Sequence, residues 1–419
     1  MANFKSYILL LFSAVSLLGC TAPPVKKVNI STPISLSSKS ETRSVAIKKV
    51  VAKIPRGKMI GQVTGGALCV VQPGGEITWG SSNRVNFTTE ELIDIFVEEL
   101  ESAGWPVVGT TEDLFSGYDL SAAEILLAAQ ISDANTNICY PLSGFGNWSS
   151  AKGEMYIKVE WQVYSPRTKE VIGTLQTEGS SVVGSSSSIS GDLLANSFSV
   201  ATRNLLAQQD FHDLIKKVDE IKPKEGVNRI IIRNKNLSLG SLEDAKKSVV
   251  SIRTATGHGS GVAIGDGGMV LTNAHVVGSA NKVTIITSDG VSFPAEVIRS
   301  SKERDIALIS LGQSKLKPLP LRLDRVTSGS EVYAIGSPLA EDFIGTVTKG
   351  IISGVRKYDG LDWYQSDVAV NPGNSGGPLL DEKFNVIGLT TIGIGGVGSG
   401  INLFVPINDG LDFLAVTLD

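Results

Sequence analysis

A histidine, an aspartate and a serine occur in this sequence in an order and at spacings that could activate a hydroxyl group as a nucleophile. His275 follows Thr-Asn-Ala, Asp305 opens Asp-Ile-Ala-Leu, and Ser375 lies in the glycine-rich segment 371–378; the separations are 30 and 70 residues. A serine hydroxyl needs a base within hydrogen-bond reach, and histidine titrates near neutral pH. An aspartate can hold the imidazole in the required tautomer. The sequence therefore predicts acyl transfer, with Ser375 attacking, His275 as the base and Asp305 orienting it.

The glycines around Ser375 predict a tight turn whose backbone N–H groups converge on one point. We expect the amides of Gly373 and Ser375, with Asn374 between them, to form an oxyanion hole. Removing one such donor typically slows turnover by ~10²–10³. Taken alone, each fragment could be an ordinary hairpin, strand start or turn. Their common order and spacing favour the catalytic interpretation.

The two other histidines of the chain are weaker candidates for the base. His212 lies in a polar amphipathic stretch, which predicts a surface side chain. His258 lies in a glycine-rich turn, which predicts a solvated one. His275 is therefore the predicted base, and neither a metal nor a cofactor is expected. If Asp305 is not the acid partner, Asp367 and Asp324 are the next candidates.

The order His, Asp, Ser is that of chymotrypsin-type triads, and several segments resemble the protease domain of the HtrA/Deg family. They are residues 248–252, 259–262, 271–277, 334–338, 346–353 and 365–370. The resemblance covers residues 241–419 and implies two six-stranded β-barrels meeting at a cleft. It departs from the family in two ways. HtrA proteins usually carry PDZ domains after the protease, whereas this sequence stops at Asp419, and it has a large N-terminal region.

The expected substrate contacts lie just before the serine loop and on a strand after it. They are Ala369, Val370, Leu389, Thr390, Thr391, Ile392 and Gly393. None of them is charged, which favours small or medium aliphatic side chains at the cleaved bond. Asp367 is the only nearby carboxylate, and the resemblance treats it as structural. The strand 389–393 is expected to pair with an extended substrate through backbone hydrogen bonds.

The N-terminus has the pattern of an exported lipoprotein. Lys5 precedes an apolar run of ~12 residues, too short to span a bilayer but suited to a signal peptide. Leu-Leu-Gly-Cys at 17–20 resembles a bacterial lipobox, which implies cleavage after residue 19 and lipidation of Cys20. The alternative is an ordinary signal peptide with a chance cysteine. Residues 20–43 have the composition of a flexible tether, and Thr21 favours an outer-membrane anchor on the periplasmic side.

Two further cysteines, Cys69 and Cys139, allow two interpretations. An oxidising periplasm permits a disulfide between them. Such a bond would close a loop of about 70 residues and could stabilise the fold by ~4 kcal/mol. Two buried free thiols are the alternative.

The N-terminal region, residues 44–218, reads as an α/β (α+β) domain. The predicted elements are strands within 44–63, a helix from Thr88 to Gly104, a short strand at 105–108, a strand at 125–131, a hairpin of 155–164 with 171–176, a serine-rich loop at 184–191 and a helix at 193–206. This order is similar to that of curli-secretion-lipoprotein and TolB N-terminal domains. No catalytic constellation occurs there, so a structural or partner-docking role is expected.

Residues 219–240 read as a linker with one strand near 229–232, and residues 241–419 as an all-β unit with no long helix before 408–415. A length of 419 residues suits two domains, and a net charge of −4 argues against nucleic-acid binding. The predicted function is a membrane-tethered serine endopeptidase acting on unfolded or extended polypeptides in the cell envelope. A protease-like peptide-binding scaffold and an envelope-assembly lipoprotein, acting through its N-terminal domain on an envelope partner, are the alternatives.

Overall fold

The computed structural model shows two domains joined by a short connecting segment. It describes residues 24–36, 38, 41–66, 69, 71–80, 89–108, 123–142, 150–218, 220–233, 241–255, 257–337, 344–394 and 400–419, without the side chains of 71–74, 392 and 394. The predicted signal peptide, Cys20 and Thr88 lie outside these residues. Among the described helices, none has the length and apolar character needed to cross a membrane.

Six strands of the N-terminal domain form one mixed sheet. They are β1 (Val45–Ala52), β2 (Met59–Gly65), β3 (Val71–Thr78), β4 (Ile125–Tyr140), β5 (Ala151–Ser165) and β6 (Glu170–Ser186). The sheet order is β3-β2-β4-β5-β6, and β1 runs parallel to β4. Side chains of β4 and β5 alternate between buried and less buried positions, as expected when one face of a sheet is covered.

Helices α1 (Thr89–Ser102) and α2 (Ile189–Leu206) cover that face, and α3 (Gln209–Ile215) follows. Phe96 of α1 and Phe198 of α2 pack against Trp161 of β5, with ring centroids 6.0 and 5.6 Å away. The indole of Trp161 also donates a hydrogen bond of 2.7 Å to Thr177 Oγ1, so its one polar group is satisfied in the core. The predicted α/β character of this region is confirmed.

Three predicted element boundaries in this domain are wrong. β4 continues past Ile131 to Tyr140, because the polar residues there alternate in burial and keep pairing with β5 after a bulge. Residues 105–108 make only one bridge to β1 instead of a strand, since Pro106 has no N–H to donate. The serine-rich loop is confined to residues 187–188, because β6 extends to Ser186 and α2 begins at Ile189.

Residues 24–36 lie against the α/β domain, which differs from the flexible tether expected over this range. Val25 is buried, and Lys26 Nζ lies 2.5 Å from Glu178 Oε2. The Ile34 N–H donates to Leu206 O at 3.1 Å, and the indole N–H of Trp105 donates to Ile34 O at 3.1 Å. Burial of Val25 and these hydrogen bonds offset the entropy lost when the segment is ordered.

Cys69 and Cys139 form a disulfide, with their Cα atoms 5.7 Å apart. The bond connects the end of β4 to the residues between β2 and β3. Of the two interpretations that the sequence left open, the structure adopts the bonded one.

The C-terminal half contains two closed antiparallel barrels of six strands each, which confirms the predicted architecture. The first has β8 (Val249–Arg253), β9 (His258–Ile264), β10 (Met269–Thr272), β11 (Lys282–Ile286), β12 (Ser292–Ser301) and β13 (Ile306–Ser310). The second has β14 (Glu331–Gly336), β15 (Thr346–Tyr358), β16 (Leu361–Ser366), β17 (Pro378–Leu380), β18 (Val386–Ile394) and β19 (Ile401–Pro406).

Short elements complete this half. β7 (Ile230–Ile232), in the predicted linker, pairs in parallel with β20 (Val416–Leu418). Helix α4 (Leu242–Lys246) begins at Ser241, whose hydroxyl accepts the Asp244 N–H, and α5 (Ala274–Val277) and α6 (Ile407–Phe413) follow. α4 agrees with the helix start expected at Ser241. Like α5, it is a single short turn, so the half is still dominated by strands.

Candidate active site

His275 and Asp305 meet at the open end of the first barrel. His275 Nδ1 lies 2.7 Å from Asp305 Oδ2, and the His275 N–H donates to Asp305 Oδ1 at 2.9 Å. Asp305 is buried and adopts φ 58°, a conformation that is uncommon for residues other than glycine. The carboxylate thus contacts both the backbone N–H and the ring Nδ1 of His275, which leaves His275 Nε2 on the side of the serine loop.

Strand pairing explains why these two residues are neighbours. Thr272 of β10 pairs with Ala307 of β13, so the residues just after β10 and just before β13 lie side by side. Asn273 stabilises the contact between the end of β10 and the start of β13, because its side-chain amide donates to Asp305 O at 2.8 Å and to Thr391 Oγ1 at 3.0 Å. The contact to Thr391 also joins the first barrel to β18 of the second.

Arg304 directly precedes Asp305 and was not among the residues predicted from the sequence. Its side chain is fully buried, with Nε 2.5 Å from Asp409 Oδ2 and the guanidinium 4.3 Å from the centroid of the Trp363 ring. Burial lowers the pKa of Arg304 to about 10 and raises the pKa of Asp409. Arg304 also donates to Asp362 O at 2.5 Å, so it ties the Asp305 turn to the second barrel.

The serine loop has the backbone conformation that the glycines predicted. Gly373 has φ 100° and Gly376 has φ 83°. The Asn374 N–H donates to Asn371 O at 3.0 Å, whereas within the described residues the N–H groups of Gly373 and Ser375 have no acceptor. These two amides are therefore available to an oxyanion, and that of Asn374 is already used.

Ser260 fastens the serine loop to the first barrel. Its Oγ donates to Gly373 O at 2.7 Å, and its N–H donates to Ser375 O at 2.8 Å. A side chain at Gly376 would collide with Ser260 O and Thr272 Oγ1, so this position needs glycine. The loop that carries Ser375 is consequently held at the same end of the barrel as His275.

The predicted substrate contacts occupy different environments. Ala369 is exposed and Val370 half-buried, whereas Leu389 and Thr390 are fully buried. Within the described residues, β18 pairs with β17 through Val386–Leu389, and Thr390 exchanges backbone hydrogen bonds with Gly376 and Gly377 of the serine loop. From Thr391 onward, no other described strand pairs with this edge of β18, and this free edge is where an extended chain would add a strand. The assignment of the individual residues to substrate binding stays a prediction.

The two alternative acids are not required by the geometry. Asp367 Oδ1 accepts the Ile351 N–H at 2.7 Å, and Asp324 is exposed. The other two histidines are less exposed than expected. His212 packs edge-on against Trp105, with ring centroids 6.1 Å apart, and His258 is half-buried at the start of β9. His212, predicted at the surface, is partly exposed, and His258, predicted to be solvated, is partly covered by neighbouring elements.

A lysine of the α/β domain also reaches this site. Lys169 Nζ lies 2.9 Å from His275 Nε2 and 3.4 Å from Ser375 Oγ. Burial lowers the pKa of Lys169, while the nearby Asp305 carboxylate opposes that shift. The sequence reasoning missed this residue, because it lies 106 positions before His275 and in the other domain.

Comparison with known proteins agrees with this geometry. Residues 259–389 match the trypsin-like peptidase domain family. The chain is 34% identical over 165 residues to the chloroplastic Protease Do-like 1 of Arabidopsis thaliana, which covers 36% of this chain and 37% of that protein. It is 36% identical over 161 residues to the probable periplasmic serine endoprotease DegP-like of Halomonas elongata, which covers 37% and 34%. The matched part is thus similar to the trypsin-like peptidase domains of HtrA/Deg-type serine proteases.

The solved structure of the HtrA-type protease AlgW with tripeptide has 33% sequence identity, covers 41% of this chain and 62% of that one, and gives a TM-score of 0.38. The chain spans well under half the length of these curated relatives. The similarity to the curated relatives therefore covers only part of each protein.

Proposed function

We propose that this protein is a serine endopeptidase that cleaves unfolded or extended polypeptides through an acyl-enzyme. The observation that carries the proposal is the contact of His275 Nδ1 with Asp305 Oδ2 at 2.7 Å, with Ser375 at the same end of the barrel. Acyl transfer needs a nucleophile, a base and an acid that orients the base, and Ser375, His275 and Asp305 are the residues proposed for these roles.

The proposed reaction proceeds in two stages. Ser375 Oγ attacks the substrate carbonyl while His275 Nε2 takes its proton, and Asp305 stabilises the resulting imidazolium. The amides of Gly373 and Ser375 donate to the oxyanion of the tetrahedral intermediate. His275 then gives the proton to the leaving amine, and water releases the acyl group by the same route.

Substrate selection is proposed to rest on main-chain pairing. The free edge of β18, from Thr391 to Ile394, offers backbone groups to an extended chain, and such pairing tolerates many sequences. The exposed Ala369 and half-buried Val370 carry no charge, which supports small or medium aliphatic residues at the cleaved bond. Asp367 is engaged by the Ile351 N–H, so it is not proposed as a specificity carboxylate.

The location and the domain roles are proposed from the sequence. A lipid on Cys20 would hold the chain at the periplasmic face of an outer membrane, and its similarity to the probable periplasmic serine endoprotease of Halomonas elongata supports an envelope location. We propose residues 44–218 as the domain that could meet an envelope partner and residues 241–419 as the protease.

The test is cleavage of casein by the chain from residue 21 onward, compared with its Ser375→Ala variant. The wild type is expected to cleave and to react with a fluorophosphonate probe, and the variant to do neither while keeping its fold. Proteolysis that survives in Ser375→Ala would refute the assignment. Binding of peptides by a wild type that shows no turnover under any condition would favour the scaffold alternative.

A further inference from the structure

The turn between β5 and β6 brings an ammonium group into the catalytic centre. Lys169 follows the turn residues Pro-Arg-Thr, and its Nζ contacts both His275 Nε2 and Ser375 Oγ. Ser375 Oγ and His275 Nε2 make no hydrogen bond to each other within the described part of the chain. The lysine therefore stands where the proton of the serine hydroxyl should be passed to the imidazole.

The hydrogen-bonding roles of the ring show what this contact does. His275 Nδ1 lies against the Asp305 carboxylate, so the N–H of the neutral ring belongs at Nδ1 and the lone pair at Nε2. An ammonium group has three donors and no acceptor. It can occupy the Nε2 lone pair, but it cannot take a proton from Ser375. In this arrangement His275 Nε2 accepts a hydrogen bond from Lys169 instead of from the hydroxyl group of Ser375.

Neighbouring contacts hold the turn in place on the protease domain. Arg167 Nε lies 2.5 Å from Asp359 Oδ2, and Arg167 also donates to Glu303 O at 2.6 Å. Glu170 Oε1 lies 2.7 Å from Lys302 Nζ. The side chains of Arg167 and Asp359 are only 11% and 5% exposed, which distinguishes this pair from an ordinary surface ion pair.

Both loops are shaped to make these contacts. Lys169 adopts φ 54°, which costs a residue with a side chain some conformational free energy and needs support from its surroundings. Asp359 and Gly360 both have positive φ, 50° and 72°, the pattern of a two-residue hairpin turn between β15 and β16. That turn directs the Asp359 carboxylate at Arg167.

We propose that the 166–169 turn of the α/β domain is a built-in inhibitor of the protease domain, with Lys169 as the group that blocks the triad. The inference rests on the proposed protease function. Substrate can react only when the turn has left the cleft, so the observed rate is reduced by the fraction of molecules in which it has done so. The N-terminal domain thereby gains a role in controlling when the protease acts.

The first measurement follows the fluorophosphonate probe, which needs only an active Ser375, together with kcat/KM on an unfolded peptide. Lys169→Met keeps most of the unbranched side chain and removes the charged end, and Asp359→Asn removes the anionic partner of Arg167 while tolerating positive φ. Both are expected to raise the labelling rate by about tenfold or more, in proportion to the competent fraction released. Lys49→Met changes an exposed lysine of the same domain and should leave the rate unchanged.

The second measurement follows docking without activity, in the Ser375→Ala chain. Both lysines are exposed as residues, but the Lys169 amine is held against His275 Nε2, so reductive methylation should modify Lys49 faster than Lys169. Asp359→Asn should remove this protection of Lys169. Equal modification of the two lysines would overturn the proposal, as would a protected Lys169 whose replacement leaves the labelling rate of an active enzyme unchanged. If no variant reacts with the probe, Lys169→Met included, the inhibition and the proposed protease function both fail. A wild type that reacts with the probe as fast as Lys169→Met refutes the inhibition and leaves the proposed protease function standing.

Discussion

The fully buried Arg304 forms an ion pair with the half-buried Asp409, with Nε and Oδ2 2.5 Å apart, one residue before Asp305 in the chain. The guanidinium is fully buried, so its positive charge is stabilised by Asp409, by the Trp363 ring and by the carbonyl oxygen of Asp362 instead of by water. Removing one member of a buried pair leaves the other uncompensated, which costs more than a surface pair contributes. This makes the turn before Asp305 sensitive to changes far from the cleft.

Replacing Asp409→Asn is expected to lower the free energy of unfolding by about 2 kcal/mol, because Arg304 loses its counter-charge in a partly solvated site. Denaturant unfolding of the two proteins measures the difference. Asp412→Asn is the matched control, since Asp412 is exposed and lies 3.8 Å from an exposed Arg229. An equal loss of unfolding free energy in the two variants would mean that the buried position of Arg304 does not strengthen its pair with Asp409.

Asp305→Asn should reduce turnover by about 10⁴ while stability changes much less. The amide keeps the shape but offers an N–H or a weaker acceptor to His275 Nδ1, which disfavours the tautomer that the base needs. The comparison is kcat of the variant with that of Asp324→Asn, an exposed aspartate expected to have no effect. Near-normal turnover in Asp305→Asn would require another acid partner for His275.

The sequence could single out His275, Asp305 and Ser375 as candidates because acyl transfer fixes the residue types and the glycines around the serine form a local pattern. The hairpin that carries Lys169 was also readable, from alternating strands around Ser-Pro-Arg-Thr-Lys. The position of Lys169 in the cleft could not be predicted, because a contact between residues 106 positions apart leaves no repeating pattern in the sequence. A lysine in a turn is also common on protein surfaces. The same applies to Arg304, whose sequence neighbours are charged although its side chain is buried.

The N-terminal segment shows a second limit of composition. Serine, proline and lysine around residues 24–36 indicated a free tether, yet the segment docks through the buried Val25, through Ile34 and Leu36 packed on the core, and through hydrogen bonds to the sheet and α2. Conversely, the apolar Trp105 and Val107 suggested a strand, but Trp105 stacks on Phe211 at 5.7 Å instead of continuing a ladder. In both cases tertiary contacts outweigh local preference.

Cys20→Ser should prevent lipid attachment and move the protein out of the membrane fraction, or leave it as an unprocessed precursor. The reason is chemical, because the thiol of Cys20 is the proposed acceptor of the diacylglycerol. Fractionation of cells and sensitivity of processing to globomycin measure the outcome. A precursor that is insensitive to globomycin, or unchanged membrane partition of the variant, contradicts the anchor and favours an ordinary signal peptide.

Acid should weaken the attachment of residues 24–36 through Glu178. Its hydrogen bond with Lys26 is the main cause that lowers the pKa of Glu178, and a hydrogen bond of 2.7 Å from Tyr156 Oη adds to it. A lowered pKa in the folded state means that the unfolded chain binds more protons in this range. The stabilisation is therefore complete above the ordinary value of 4.5 and is lost as the pH falls through the lowered pKa.

Unfolding of the α/β domain in denaturant, followed from about pH 6 to about pH 3, tests this expectation. The wild type should lose stability more steeply than Glu178→Gln, which has no carboxylate to protonate at this position. Glu76→Gln, at an exposed position of β3, should keep the steepness of the wild type. If Glu178→Gln and the wild type fall in parallel through acid, the pair of Lys26 and Glu178 does not hold the segment in solution.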